Sequence, residues 1–568
     1  MKIAINQNSI SLQEHIMYRF HSYSSLVSRA IARFHWRSPT NLALGLFSTL
    51  FSIGMVTPVF GAERIYVSYG LLERSIPIDS LETFVNTGRV DDELETYARR
   101  VTPEQLAQLR EVLQTEIPLD VVSVSQFLYT PIGERLLERL GGVIQTEARQ
   151  SGFYGIRAAL ILAAADPEGF TPLSALRQFP TDGIRIDVAE GLAIADSLQA
   201  LINQTTQAVN QVQQQARLEA TGTAPSTPLP QVNLEEQGRF EWEVQSFTLR
   251  DRERNRTFPV DLYLPIAPAP HPVIVVSHGL GSDRTSFDYL AQHLASYGFA
   301  VAIPEHPGSN TEQLQAVLQG TAESVTSPRE FIDRPLDIST LLNELDRLSR
   351  SESFLQGRLN LQAVGVVGQS YGGYTTLALA GAKLNFQQLQ QDCQDLDDSV
   401  NLSLVLQCLA LQLPEQSYNL MDSRIDAAIA INPVSSSILG EEGLSQIQVP
   451  TMIVASSADT VTPALPEQIQ PFTWLSTPNK YLVVLEGGTH FSAIAESADA
   501  AIAIPSAVVG AEPELARRYI CALSVAFFQT YVADQPAYRP FLSAIYADRI
   551  SQEPLQLSLV RSLSNSRF

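Results

Sequence analysis

The sequence predicts an α/β protein: a mostly parallel sheet flanked by helices, preceded by a mostly helical N-terminal domain. Two observations carry this. From about Val232 onward, short continuous apolar runs alternate with helical stretches. Such runs suit parallel strands buried on both faces. Between about Glu63 and Gln215 the periodicity is helical and strand signals are few. The chain has 568 residues, 45% of them hydrophobic and 17% charged, which is the make-up of a globular protein with room for two or more domains. A net charge of −22, with no arginine-rich stripe, argues against a nucleic-acid surface.

Residues 1–62 read as a signal peptide, with a retained membrane anchor as the alternative. Arg19, Arg29, Arg33 and Arg37 precede the uncharged run Asn41–Ala62. An apolar run of about 20 residues is also long enough to span a bilayer. Pro58 and the small pair Gly61-Ala62, met at once by Glu63 and Arg64, favour cleavage. The expected location is therefore outside the cytoplasm, in a periplasm or comparable lumen, with membrane association through this segment as the other reading.

Residues 63–220 form the expected helical domain. In "RVTPEQLAQLREVLQ", Thr102 stands before Pro103, with Glu104 and Gln105 in the first turn, a helix-start signature. A second helix is expected in "PIGERLLERLGGVIQTEAR". The stretch from Asp187 to Ala220 reads as one long helix that turns polar and Gln-rich. Residues 221–236, opening with "TGTAPSTPLPQ", are a linker by composition.

Residues 237–535 hold the sheet. "RFEWEVQSFTLRD" and "RTFPVDLYLP" alternate like two antiparallel strands. The further strands are expected in "PVIVVSHG", "FAVAIPEH", "AVGVVGQS", "DAAIAINP", "PTMIVASSAD" and "KYLVVLEGG". Helices are expected over Ser286–Tyr297, Pro335–Arg350, Tyr371–Ala382 and Glu512–Val532. Residues 536–568 are left as a C-terminal tail.

The chemistry begins at Gly368-Gln369-Ser370-Tyr371-Gly372, a G-x-S-x-G pattern between a strand and a helix. That is the context of a nucleophile elbow, where glycines flank a serine on a sharp, strained turn. Chance supplies roughly 0.1–0.2 such matches in a chain this long, so context decides. Serine needs a base to take its proton, usually a histidine oriented by a carboxylate. On such sheets the chain order is Ser, then Asp or Glu, then His. After Ser370 the only histidine is His490, just past an apolar strand in "LVVLEGGTHFS". Asp459 follows the strand in "MIVASSADTVTP" and is the expected acid; the alternative is a surface-turn aspartate. An oxyanion needs backbone N–H donors. Tyr371 supplies one, and Leu280, in "SHGLGSD", the other. His278 precedes the serine and reads as structural, beneath the loop; His306 reads as structural or at the rim.

These stretches, with "RPLDISTLL" and "GGTHF", resemble the α/β-hydrolase fold of serine hydrolases related to platelet-activating-factor acetylhydrolase and dienelactone hydrolase. The whole order resembles a cyanobacterial-type family with a helical N-terminal domain of unknown function. The resemblance covers about Phe240 to Val532 and implies Ser370, Asp459 and His490 as a catalytic triad. The motifs are specific for fold and triad and weak for substrate. Dienelactone hydrolases carry a cysteine where Ser370 stands, and many lipases carry histidine where Gln369 stands.

Residues 383–422 are an insertion of the kind that caps a site. Its apolar positions (Leu402, Leu404, Val405, Leu409, Leu411, Leu413) either line an acyl pocket or pack on the sheet. Cys393 and Cys408 lie inside it. In an exported protein they are a candidate disulfide, worth about 3 kcal/mol for a loop of about 15 residues on the chain-entropy model; the alternative is three buried thiols with Cys521. No Cys/His cluster suggests zinc, and no metal or cofactor is expected. The leading expectation is an ester hydrolase taking a small-molecule or lipid ester. The rivals are a peptidase of prolyl-oligopeptidase type, which needs a β-propeller, and a non-catalytic binding protein on the same scaffold.

Overall fold

The computed structural model describes residues 61–563, apart from 70–71, 168, 223–230, 269, 395, 397–398, 498–499 and 501–505. The expected leader thus lies outside the described residues, except for its last two. Gly61 and Ala62 are packed: Ala62 is fully buried, and a β-carbon on Gly61 would overlap the Arg177 carbonyl. Among the described residues no helix is long and apolar enough to cross a membrane.

The N-terminal region is mostly helical, as expected, but it also holds a small sheet. Strands β1 (Arg64–Tyr69), β2 (Leu72–Pro77), β3 (Ile144–Thr146) and β4 (Gly183–Asp187) lie in the order β2-β1-β4-β3. Strands of three to six residues carry too few side chains for a period of two to show in the sequence. The helix expected from "PIGERLLERLGGVIQTEAR" stops at Val143 because its last residues become β3. Thr102 and Gln105 form the capping box that starts helix Pro103–Gln114. Ile65, Ile78, Leu81, Phe84, Leu137, Ile156, Phe179 and Ile184 make one small apolar core.

The long helix Val188–Gly222 links this core to the next. Leu198 and Ile202 in its first half are exposed. Ala208, Val209 and Val212 in its second half are buried in the core of the large sheet. Its Gln-rich face is spent on polar contacts there: Gln215 Nε2 donates to Ser562 Oγ (3.1 Å), and Glu219 accepts the Arg561 N–H (3.0 Å). The end of the expected linker is docked: Leu234 is fully buried and its carbonyl bonds His293 Nε2 (3.0 Å).

The large sheet has nine strands: β5 (Trp242–Asp251), β6 (Arg256–Pro265), β7 (His271–Ser277), β8 (Ala300–Pro304), β9 (Leu359–Gln369), β10 (Ile425–Ile431), β11 (Thr451–Ser456), β12 (Lys480–Leu485) and β13 (Leu557–Val560). Their order is β13-β12-β11-β10-β9-β7-β8-β6-β5. The six from β12 to β8 are parallel; β6, β5 and β13 run antiparallel at the edges. Alternate residues face two cores: Val273 and Val275 one, Ile274 and Val276 the other. Gly365 is glycine because Phe528 of helix Pro513–Tyr531 lies where its β-carbon would be, 2.7 Å away.

Two expectations need correcting. The described part of 536–568, up to residue 563, is no loose tail: helix Ala544–Ile550 and strand β13 close the sheet against β12, burying Leu557, Leu559 and Val560. Four-residue β13 is too short to announce itself. Helix Glu330–Ser351 starts before Pro335, which sits inside it; residues 330–334 were hidden by reading the proline as a start.

Candidate active site

Ser370 stands between β9 and helix Tyr371–Leu379 with φ +57°, a region that non-glycine residues rarely occupy. The turn is held by close packing. A β-carbon on Gly368 would come within 2.2 Å of the Gly372 carbonyl oxygen, and one on Gly372 within 2.0 Å of the Ser277 oxygen. On Gly373 it would press on Pro433 at 2.8 Å. The G-x-S-x-G-G spacing is therefore steric: only glycine lets the elbow sit against β7 and the turn after β10. Sheet order places Ser370 where the chain turns from β7 and β8 on one side to β10 on the other, at the carboxyl strand ends where ligands of such sheets bind.

The same end gathers His490 and Asp459. His490 Nδ1 lies 2.7 Å from Asp459 Oδ2, and both residues are buried. Asp459 also accepts the N–H groups of Val461 (2.8 Å) and Thr462 (2.7 Å) and the Thr462 hydroxyl (2.8 Å). A carboxylate so filled keeps its orientation and holds the imidazole with its proton on Nδ1. Nε2 is then the free acceptor, and Gln369 Nε2 donates to it at 3.2 Å while also donating to the His490 carbonyl at 3.1 Å. Among the described residues no hydrogen bond joins Ser370 Oγ to His490.

Across the elbow, Gly279 packs 3.4 Å, from its would-be β-carbon, against Ser370 Cβ. Among the described residues neither the Leu280 nor the Tyr371 N–H is spent on a backbone hydrogen bond. The Gly279–Leu280 peptide is oriented from behind. The His306 N–H donates to His278 Nε2 (3.0 Å), so His278 carries its proton on Nδ1 and donates it to the Gly279 carbonyl (2.8 Å). In a trans peptide this aims the Leu280 N–H away from His278. Burial pushes His278 down to about 4. Burial, then the Arg334 charge, holds His306 well below the usual histidine range. Arg334 is itself fully buried, donating to Ser309 Oγ (2.8 Å), Thr375 Oγ1 (3.2 Å) and the His278 carbonyl, with its guanidinium over the Tyr371 ring at 4.7 Å.

Cys393 and Cys408 are joined in a disulfide, and Cys521 is a buried free thiol. The insertion is clamped by a buried carboxylate. Glu467 accepts from Asn401 (2.6 Å), Ser403 (2.7 Å) and Gln407 (2.9 Å) of the insertion and from the N–H of Ser435 (2.8 Å) after β10. Leu406 and Ala410 belong to the sheet's core, with Leu409, Leu411 and Leu413 packed on it. Three of the six expected lining residues, Leu409, Leu411 and Leu413, are thus core packing, and Leu402 stays 40% exposed. Sequence reading missed Gln369 as a partner of His490, and also Thr462, Arg334 and Glu467. Thr462, three residues after Asp459, has a readable turn signal; nothing sets Arg334 apart from the exposed Arg329 nearby. An open depression of about 530 Å³ lined by Glu243, Ile266, Ala267, Gly357 and Arg358 lies at the opposite strand ends.

Fold and site arrangement make this an α/β-type hydrolase. Residues 61–187 match the family described as alpha/beta hydrolase of unknown function (DUF1400), although they precede the nine-stranded sheet. Residues 255–333 match the platelet-activating factor acetylhydrolase, isoform II family. The chain is similar to cutinase 1 of Thermobifida cellulosilytica, 22% identical over 283 residues, half of this chain and 76% of that one. It is also similar to the cutinase of Thermobifida fusca, 21% identical over half of this chain and 66% of that one.

Proposed function

We propose that this protein is an exported serine hydrolase that cleaves a carboxylic ester through an acyl-enzyme. The observation that carries the reading is Ser370 held at φ +57° on a strand end that also presents the bonded pair His490–Asp459. Ser370 Oγ attacks the ester carbonyl carbon and its proton passes to His490 Nε2. Asp459 steadies the imidazolium. The oxyanion takes the N–H groups of Leu280 and Tyr371. The tetrahedral species expels the alcohol, which receives the proton from His490. Water then repeats the sequence on the acyl-serine and releases the acid. Gln369 Nε2 must cede His490 Nε2 to the serine hydroxyl, a bond that commonly tightens only when substrate binds.

The names of the similar proteins support an ester, as does the N-terminal region. Its described residues form helices and a four-stranded sheet and hold no β-propeller of the kind an oligopeptidase needs. The disulfide supports an oxidising compartment. The test is hydrolysis of p-nitrophenyl acyl esters beside aminoacyl nitroanilides, with fluorophosphonate labelling mapped by peptide mass. Ester cleavage and a label on Ser370 are expected. Cleavage of anilides alone would move the reading to a peptidase, and no cleavage with no label to a binding scaffold.

A further inference from the structure

The N-terminal region reaches both flanks of Ser370. On the oxyanion side, helix Thr311–Leu318 is tied to the loop after β7. The Gly281 N–H donates to the Ser309 carbonyl (2.8 Å), the Thr311 N–H to Ser282 (3.0 Å) and the Thr311 hydroxyl to Gly281 (3.1 Å). Helix Val121–Leu128 packs against that helix. Its Gln126 amide fills the space over Gly320, where a β-carbon would come within 2.7 Å. On the other side, helix Pro131–Val143 packs against Ser403–Gln407 of the insertion. Gln407 Oε1 there accepts the N–H groups of Ser437 (2.9 Å) and Ile438 (2.8 Å). The same loop contains Val434, whose N–H donates to the Ser370 carbonyl (3.3 Å).

The two N-terminal helices are joined by Tyr129 and Thr130 alone, and the joint is fixed. Thr130 is buried and caps the second helix through the Gly133 N–H (3.0 Å). The Arg157 guanidinium lies 4.1 Å from the Tyr129 ring and donates to Glu134 (3.0 Å). One stiff hairpin therefore touches the β7–β8 side and the β10 side of the elbow together. Ser370 itself is 7% exposed. Val122 lies one turn before Gln126 on the same helix face, yet is 49% exposed; Leu402, just before Ser403–Gln407, is 40% exposed. Val317, Leu318 and Leu404 are buried but lie outside the three apolar cores; each sits on a helix that the hairpin packs against.

We propose that the hairpin 121–143 is a fixed specificity wall of the ester site. The acyl chain runs between the first helix of the hairpin and the insertion, with Val122 and Leu402 at the rim. The passage takes a single slender acyl chain and refuses branched or bulky acyl groups. This rests on the reading of Ser370 as nucleophile. Each methylene buried along an apolar wall is worth about fourfold in binding, so chain length should register in kcat/KM.

The experiment is a series of p-nitrophenyl acetate, decanoate and pivalate on the full exported chain carrying Val122→Trp, Leu402→Trp, Val122→Ala or Leu402→Ala. Tyr154→Trp is the control; Tyr154 is 77% exposed on helix Phe153–Ala164, outside the hairpin. The tryptophans should lower the decanoate-to-acetate ratio of kcat/KM at least tenfold. The alanines should raise pivalate relative to acetate severalfold, a gain that a misfolded variant does not show. Ratios within twofold of wild type in all four variants would overturn the wall, as would an equal shift in Tyr154→Trp. A wild type that labels at Ser370 but shows flat ratios throughout the series loses the wall and keeps the nucleophile; a wild type that never labels loses both.

Discussion

The nine-stranded sheet and the N-terminal region bury their apolar residues differently. The sheet is covered on both faces, and the buried polar groups of Arg334, His278 and Glu467 in it are hydrogen-bonded. The N-terminal region has one small core and leaves Leu109, Val112, Tyr129, Leu140, Tyr154 and Leu162 exposed on its helices. The difference teaches where precision is needed. Reacting groups must keep their geometry to a fraction of an ångström, so they ride on strand ends inside a closed core. The N-terminal region holds none of these candidate groups and is packed less completely.

The largest expected effect lies on the sheet side. Ser370→Ala should lower kcat by about 10⁶-fold and abolish fluorophosphonate labelling with an unchanged melting curve. His490→Ala should match it, and Asp459→Asn should cost the same or less through the wrong imidazole tautomer. A fully active His490→Ala beside a dead His278→Ala would reverse the roles given to the two histidines.

The next effect compares the cores directly. Phe528→Ala, which empties the space against Gly365, should destabilise the sheet by about 3–5 kcal/mol in chemical denaturation. Phe179→Ala, which packs on Gly155 in the N-terminal core, should cost about as much there. It should leave cleavage of short esters in place while altering chain-length preference. Equal loss of short-ester activity in both variants would mean that the two regions unfold as one, coupled through helix Val188–Gly222.

A pH effect follows from His278. Its pKa in the fold, about 4, lies below the ordinary 6.5, so the unfolded chain binds the extra proton first. Stability from the neutral ring is present above about pH 6.5 and is lost as pH falls towards 4. The loss is on the order of 3 kcal/mol. His306 adds to it in the same direction. Denaturation midpoints measured from pH 7 to 4 in wild type and His278→Gln should diverge near 7 and converge near 4. Parallel curves would remove His278 from the acid response.

The smallest effect concerns the bridge. Cys393→Ser with Cys408→Ser should change KM or chain-length preference severalfold and kcat little, because the bridge lies wholly within the insertion. The Glu467 clamp and the Leu406–Ala410 packing keep the insertion seated without it. A large fall in kcat would show that the elbow itself depends on the bridge.

The sequence by itself determined the parallel strands, the elbow turn at Ser370 and the choice of Asp459 and His490, which the fold brings into hydrogen-bond contact. Continuous apolar runs admit few other structures, glycine spacing follows from steric contact at a single turn, and His490 is the one histidine that follows Ser370 in the chain. It also carried the Thr102 helix start, since a capping box is local. Only tertiary structure decided the rest. β3 and β13 are strands because an edge was waiting for them, not because three or four residues prefer to extend. Strand β13 closes the sheet, and the Gln-rich end of the long helix is polar because Ser562 and the Arg561 backbone meet it. Gln369 reached His490, Arg334 reached the loop after β7, and Glu467 reached the insertion across 56 to 121 positions of sequence. A buried polar group takes its role from the partner that satisfies it, and that partner is fixed by the fold and not by neighbours in the chain.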